Sequence, residues 1–156
     1  MTVAARIQSL LETAGVRYLV EAHPPAFTAQ EVAEATHVAG REMVKTVIAV
    51  VDGAHVMLAL PATARVDLTL LKRHLGAQSA RLADEAEFAR DFPDCELGAM
   101  PPFGQPYGLR LIASTALASD EEITFNAGNH REVIRISRED WERIANPEWA
   151  VFTAPR

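Results

Sequence analysis

Cysteine occurs once in this sequence, at Cys95, and lysine only twice, at Lys45 and Lys72, against thirteen arginines. A single cysteine excludes an internal disulfide and fits a reducing compartment. His23, His37, His55 and His74 show no metal-ligand spacing, and one cysteine cannot complete a zinc site with them. No metal and no cofactor is therefore expected. A GxSxG motif is missing, which removes the strand-turn-helix serine hydrolases. No GxGxxG follows a strand, which weakens a dinucleotide-binding reading. Apolar runs stay well short of the roughly 20 residues that cross a bilayer. The first twelve residues lack a basic stretch followed by an unbroken apolar one. The expectation is a cytoplasmic protein with neither a secretory leader nor a membrane partner. Positive charge is short as well: the net charge is −6. That excludes a protein gripping long nucleic acid through phosphate contacts, but not one that handles a single-stranded tip.

What is present is ample apolar material: 49% of 156 residues are hydrophobic. Chains of this length fold as one domain, expected here over 1–156, with a core that needs no covalent staple. Val3, Ile7, Leu10 and Leu11 recur at helical spacing, with Thr2 as a candidate N-cap and Gly15 as a stop. Thr28 and Glu31 have capping-box spacing and should open a helix that ends before Gly40. Residues 43–51 read as a strand, Asp52-Gly53 as a hairpin turn and 55–60 as the returning strand, ended by Pro61. Asp67 should cap a helix that Gly76 closes, and 84–92 reads as a short helix. Residues 93–108 hold four prolines and three glycines, which predicts a loop of fixed shape. Strands follow at 109–113, 122–126 and 132–136, the last two joined through Ala127-Gly128-Asn129-His130. Ser137 and Asp140 open a last helix that stops near Asn146-Pro147. Strands in hairpins with helices between them indicate an α+β fold with a mixed or antiparallel sheet.

Lys45 is the most informative residue, an ammonium inside the otherwise uncharged strand 43–51. Alternation places it on the face of Met43, Val47, Ala49 and Val51. Burying an unpaired ammonium is costly, and a compact charge on a flexible stem suits a pocket that receives a carbonyl, hydroxyl or phosphate oxygen. An edge-strand lysine that snorkels to water has the same pattern. The stretch 96–104 is a second candidate, because its glycines permit close backbone approach and its prolines stiffen the turn. Such a loop can aim N–H groups at a developing oxyanion; the plainer reading is a rigid surface loop. His130, at a hairpin tip, could contact a ligand, although a solvated histidine is the commoner occupant of such a place. Cys95 lacks a local base, and His55 and His37 read as structural. Charge is uneven: four basic residues (Arg65, Lys72, Arg73, Arg81) against Asp67 give +3 over 65–81, and six acids against Arg90 give −5 over 84–96. Solvated helix faces explain such blocks as readily as a partner does.

Several of these features fall in an order that resembles a known family. His23-Pro24-Pro25-Ala26-Phe27-Thr28-Ala29 precedes a helix, Met43-Val44-Lys45-Thr46 follows in a hydrophobic strand, then a GxxxP loop at Gly98-Ala99-Met100-Pro101-Pro102 with Phe103-Gly104 behind it, then Phe125-Asn126-Ala127-Gly128-Asn129-His130. This set resembles the YbaK-type aminoacyl-tRNA deacylases, which also occur as an editing domain inserted in bacterial prolyl-tRNA synthetases. The resemblance spans nearly the whole chain.

The resemblance implies a single α+β domain built on a mixed, strongly curved, partly barrel-like sheet with surrounding helices. It implies hydrolysis of the ester between a small amino acid and the terminal adenosine of a mischarged tRNA. Lys45 matches the family's functional lysine and Gly98 its loop glycine; Ala99, Met100, Pro101, Pro102, Thr46 and His130 follow as substrate-side residues. Such an ester is already activated, so a positioned water suffices. The implied partners are the acceptor end of aminoacylated tRNA, which the segment 65–81 could touch, and an aminoacyl-tRNA synthetase. Val47, Ala49, Leu58 and Met100 are candidate pocket walls, where a methylene is worth only about 1–3 kcal/mol of selectivity. Two other readings stay open: a binding module of the same fold that has lost hydrolysis, and a hydrolase of another acyl ester that recruits Cys95 or His130.

Overall fold

The computed structural model describes residues 3–26, 28–36 and 42–155. The Thr2 cap, Phe27, His37 and the helix end before Gly40 lie outside them. In chain order the elements are α1 (Ala5–Ala14), β1 (Tyr18–Ala22), α2 (Ala29–Thr36), β2 (Met43–Val51), β3 (Ala54–Pro61), β4 (Ala64–Val66), α3 (Leu68–Leu75), β5 (Ala80–Leu82) and α4 (Glu85–Phe88). After a long loop come β6 (Arg110–Ser114), β7 (Glu122–Asn126), β8 (Glu132–Ser137), α5 (Arg138–Ala145), β9 (Glu148–Ala150) and β10 (Thr153–Pro155).

One mixed sheet organises the chain, in the order β1-β8-β7-β2-β3-β6-β9. The ladders β2–β7, β3–β6 and β6–β9 are parallel, the others antiparallel. Among the described residues no ladder joins β1 to β9, so the sheet is open along this path. The expected mixed α+β class is found. The periodic elements also fall where the sequence places them, while β4, β5, β9 and β10 were not anticipated: three residues are too few to show a period.

The middle strand, β2, positions everything else. Its nine residues are long enough for two partners on one edge. β7 takes the first part, pairing Met43 with Thr124 and Val44 with Phe125. β5 takes the last part, pairing Ala49 with Leu82 and Val51 with Ala80. Lys45, Thr46 and Val47 lie between these ladders, and they form the half-buried stretch of an otherwise mostly buried strand. A strand rich in Val, Ile and Ala is stable buried on both faces; the interruption falls at its one charged residue.

Side-chain alternation divides the core. Val44 and Ile48 face the main cluster with Ile7, Leu11, Met57, Phe103, Phe125 and Trp141, between the sheet, α1 and α5. Ala49 and Val51 face a second cluster under α3, with Leu58, Leu60, Leu71 and Phe152. At the start of β2, Met43 joins Ala26, Ala62 and Val133 beneath Val32 and Ala33 of α2. Each fully buried Leu or Ile contributes about 1.5–3 kcal/mol. Helix starts are fixed as expected. The Leu70 N–H donates to Asp67 Oδ1 at 3.0 Å, Asp140 N–H to Ser137 Oγ at 3.1 Å and Glu31 N–H to Thr28 Oγ1 at 3.1 Å. A further capping box, Asp84 with Glu87, opens α4. No helix among the described residues is long and apolar enough to cross a membrane.

Candidate active site

The faces of β2 locate Lys45. Its cross-strand partner on β3 is Leu60, which belongs to the cluster under α3. Residues directly opposite one another share a face, so Lys45 points to the side covered by α2 and α3. Asn126 shares that side. It pairs with Val133, a residue packed under α2, whereas its neighbour Phe125 points into the main core. As Lys45 follows Val44, so Asn126 follows Phe125, and the two residues leave the parallel ladder together.

Three backbone segments meet just beyond Asn126. The turn 127–130 holds the proline-rich loop: Gly128 N–H donates to Ala99 O at 3.0 Å and Glu96 N–H to Gly128 O at 2.7 Å. It also holds the segment after β1: His23 N–H donates to Arg131 O at 2.8 Å and Ala26 N–H to His130 O at 3.1 Å. Gly128 is required here, since a Cβ would lie 2.7 Å from the Ala4 Cβ, at a φ of +101°. The His-Pro segment, the GxxxP loop and the late turn, about 70 and 30 residues apart along the chain, therefore form one unit.

His130 is inside that unit. Only 8% of it is exposed, so the solvated-histidine reading fails: the turn folds inward and the imidazole packs under the loop. Its Nε2 lies 2.8 Å from Leu97 O. A carbonyl only accepts, so Nε2 carries the proton. Its Cε1 would be 3.5 Å from a Cβ built on Gly98, which places the ring beneath that glycine. Gly98 has φ +84° and is exposed. Its N–H meets only the thioether of Met100, at 3.2 Å, a weak acceptor. The Met100 N–H has no hydrogen bond among the described residues.

The other substrate-side residues are placed differently from one another. Ala99, Met100, Pro101 and Pro102 are buried. Met100 packs in the main core, and Pro102 O accepts from Trp141 Nε1 at 2.9 Å. They anchor the loop, and Gly98 alone of the five is exposed. Thr46 does not join Lys45. Alternation turns it to the opposite face, across from Ala59 of the main core, where its buried Oγ1 has no partner among the described residues. The four candidate walls split for the same reason: Val47, Ala49 and Leu58 pack under α3 and Met100 on the other side of the sheet.

Two residues carry a signal that only the structure shows. The His23 Nδ1 lies 2.6 Å from Pro24 O, which only accepts, so Nδ1 carries a proton. Its Nε2 is buried without a partner among the described residues, and so is Asn126 Oδ1. β7 reads Glu122-Ile123-Thr124-Phe125-Asn126, an alternation that predicts Asn126 on a solvated face, so its burial leaves no trace in the sequence.

Cys95 is unsuited to nucleophilic attack. Burial pushes its thiol up to about 12, Tyr107 Oη stands 3.3 Å away, and the Asp94 carboxylate beside it opposes a thiolate further. A thiol kept protonated at neutral pH is inert. His55 is structural, as expected, its Nδ1 2.7 Å from Asp91 Oδ2. The two charge blocks partly neutralise each other through Arg81 and Glu87, paired in two contacts of 2.6 and 2.7 Å. Arg73 is exposed at the last turn of α3. Among the described residues no three His, Cys, Asp or Glu side chains group as metal ligands would.

Comparison with known proteins gives a consistent picture. Residues 23–144 match the model of the aminoacyl-tRNA editing domain. The chain is 32% identical over 152 residues to the multifunctional Ser/Thr-tRNA deacylase ProXp-y of Escherichia coli, covering 94% of this chain and 90% of that protein. It is 33% identical over 92 residues to the proline–tRNA ligase of Streptococcus suis, covering 59% of this chain and 15% of the ligase. The crystal structure of the hypothetical protein APE2540 superposes with a TM-score of 0.86 at 20% identity, over 96% of this chain and 99% of that one, and so shares the fold.

Proposed function

This chain belongs to the aminoacyl-tRNA editing domain family and is an aminoacyl-tRNA deacylase; from that premise we propose that it acts in trans on mischarged tRNA carrying a small amino acid, with a positioned water and no metal. The whole chain, 1–156, works as one editing unit in the cytoplasm. Its substrate is the acceptor end of an aminoacylated tRNA, and a synthetase that releases such tRNA is its second partner. Seryl and threonyl esters head the substrate panel, given the name of the Escherichia coli relative.

One observation supports this reading best: Lys45 stands where β7 and β2 part, and the turn that leaves that point clamps the exposed Gly98. Lys45 orients the ester carbonyl or the terminal adenosine. The N–H groups of Gly98 and Met100 are the donors available to the oxyanion as the carbonyl carbon becomes tetrahedral. Removing one such donor typically costs a factor of about 10²–10³ in rate. His130 fixes Gly98 from below, and Ala99 to Pro102 hold the loop rigid. Water attacks the carbonyl carbon, the bond to the ribose oxygen breaks, and that oxygen leaves with a proton as the free tRNA hydroxyl.

The test is release of amino acid from Ser-, Thr-, Ala- and Cys-tRNA by wild type and Lys45→Ala. The expected outcome is release of at least one small amino acid by wild type and a loss of about 10²-fold or more in the folded variant. Full activity in Lys45→Ala would remove Lys45 from the mechanism. A wild type inert across the panel would overturn the reading.

A further inference from the structure

We propose that Asn126 reads the side-chain hydroxyl of the substrate, making it the residue that separates seryl and threonyl esters from alanyl ones; this rests on the deacylase reading above. The starting point is an anomaly of burial. Asn126 is 7% exposed in a strand, where asparagine is disfavoured. Its Oδ1 is wholly buried and has no hydrogen-bond partner among the described residues. Leaving a buried acceptor unsatisfied is unfavourable, whereas an apolar side chain of similar size would carry no such penalty. Its neighbours Ile123 and Phe125 are fully buried in the main core, and Thr124, the other buried polar residue of the strand, is not among the side chains that leave a buried atom without a partner.

The surroundings select the ligand. Asn126 lies on the face where Met43 and Val133 make an apolar floor under α2, and it leaves the ladder beside Lys45. A neutral amide in an apolar setting matches a group that is itself neutral and can donate to Oδ1. An ammonium is a poor match, because Lys45 already brings positive charge there and the carboxylates nearby in the fold are engaged. Glu21, across β8 from Asn126, is held by Arg135 at 3.0 Å. Glu132 accepts from Asn129 Nδ2 at 3.1 Å and Glu96 from His130 N–H at 3.3 Å. A methyl group would leave Oδ1 as unsatisfied as it is now. Sites built to bond a hydroxyl reject the analogue that lacks it far more strongly than apolar pockets reject a methylene.

The experiment compares kcat/KM for Ser-, Thr- and Ala-tRNA in wild type, Asn126→Ala and Asn126→Val, with thermal melts alongside. Valine suits a strand and keeps the fold if alanine does not. The expected result is a fall of about tenfold or more for seryl and threonyl esters, with alanyl hydrolysis changed less than about threefold, so that the preference collapses. An equal fall for all three esters would overturn the proposal and make Asn126 a structural or general contact. An unchanged preference in a folded variant would overturn it too, while leaving the deacylase reading intact. A wild type that hydrolyses none of the three overturns both.

Discussion

The two faces of β2 and β7 are built from the same strands and solve opposite problems. On the main-core face, polar groups are few and mostly answered. Trp141 packs edge-on against Trp149, with centroids 6.0 Å apart, and still gives its N–H to Pro102 O. Tyr107, Asp94 and Cys95 satisfy one another around the aromatic contact of Phe92 with Tyr107. Thr46 is the exception on that side. The face toward α2 carries less apolar bulk, and on it His23 Nε2 and Asn126 Oδ1 are buried without partners among the described residues. Unsatisfied buried groups are destabilising, a cost that a donor or acceptor on a bound ligand would offset. If the site proposed above is correct, one face stores stability and the other carries the chemistry, and substitutions should separate the two.

The largest effect belongs to the packed face. Trp141→Ala removes a fully buried indole and should destabilise by about 3–5 kcal/mol, read as a lowered denaturation midpoint. It also frees Pro102 O, so deacylation should weaken even where the protein is still folded. A stability loss below about 1 kcal/mol would show that α5 matters less to the core than its burial indicates. A smaller stability effect with a larger activity effect is expected at Gly98. At φ +84° a side chain costs about 1–2 kcal/mol, and an added Cβ makes only an ordinary contact with His130 at 3.5 Å. Gly98→Ala should therefore melt several degrees below wild type, yet lose kcat by more than its stability change accounts for. Unchanged kcat would mean that the loop amide does not face the reacting carbonyl.

This division was only half legible in the sequence. Lys45 stood out because a charge in an apolar strand breaks a pattern, and the order of the His-Pro segment, the loop and the turn carried the family. The period of two also assigned Lys45 its face correctly. What could not be read was which loop residues turn inward. Ala99 to Pro102 look like a contact surface in sequence, but the indole 39 residues downstream makes them an anchor. His130 read as solvated because inward folding of its turn depends on Gly128 meeting Ala4, a contact across the whole chain. Asn126 lies within the late motif but nothing in the sequence marks it out, since an orphaned oxygen is visible only once its neighbours are placed. Strands of three residues, such as β4 and β10, exist through their partners and leave no local trace.

The smallest effect tests whether the packed face is chemically silent. Cys95 and Tyr107 both lie there, and burial raises both above their usual ranges, Cys95 to about 12. In the unfolded chain the thiol ionises near its ordinary value of 9.0. A group whose pKa is raised by folding contributes stability that is complete below the unfolded value and is lost as pH climbs toward the folded one. Wild type should therefore lose stability between pH 9 and about 12, and Cys95→Ala should show a shallower decline over that window. At pH 7.5, where the thiol is protonated in both states, Cys95→Ala should deacylate as wild type does, after allowance for a modest packing loss. A thiol-specific reagent should modify the native protein slowly at that pH. Rapid modification, or activity lost with Cys95→Ala while Asn126→Ala leaves it untouched, would reverse the assignment of the two faces and move the chemistry to the side read here as structural.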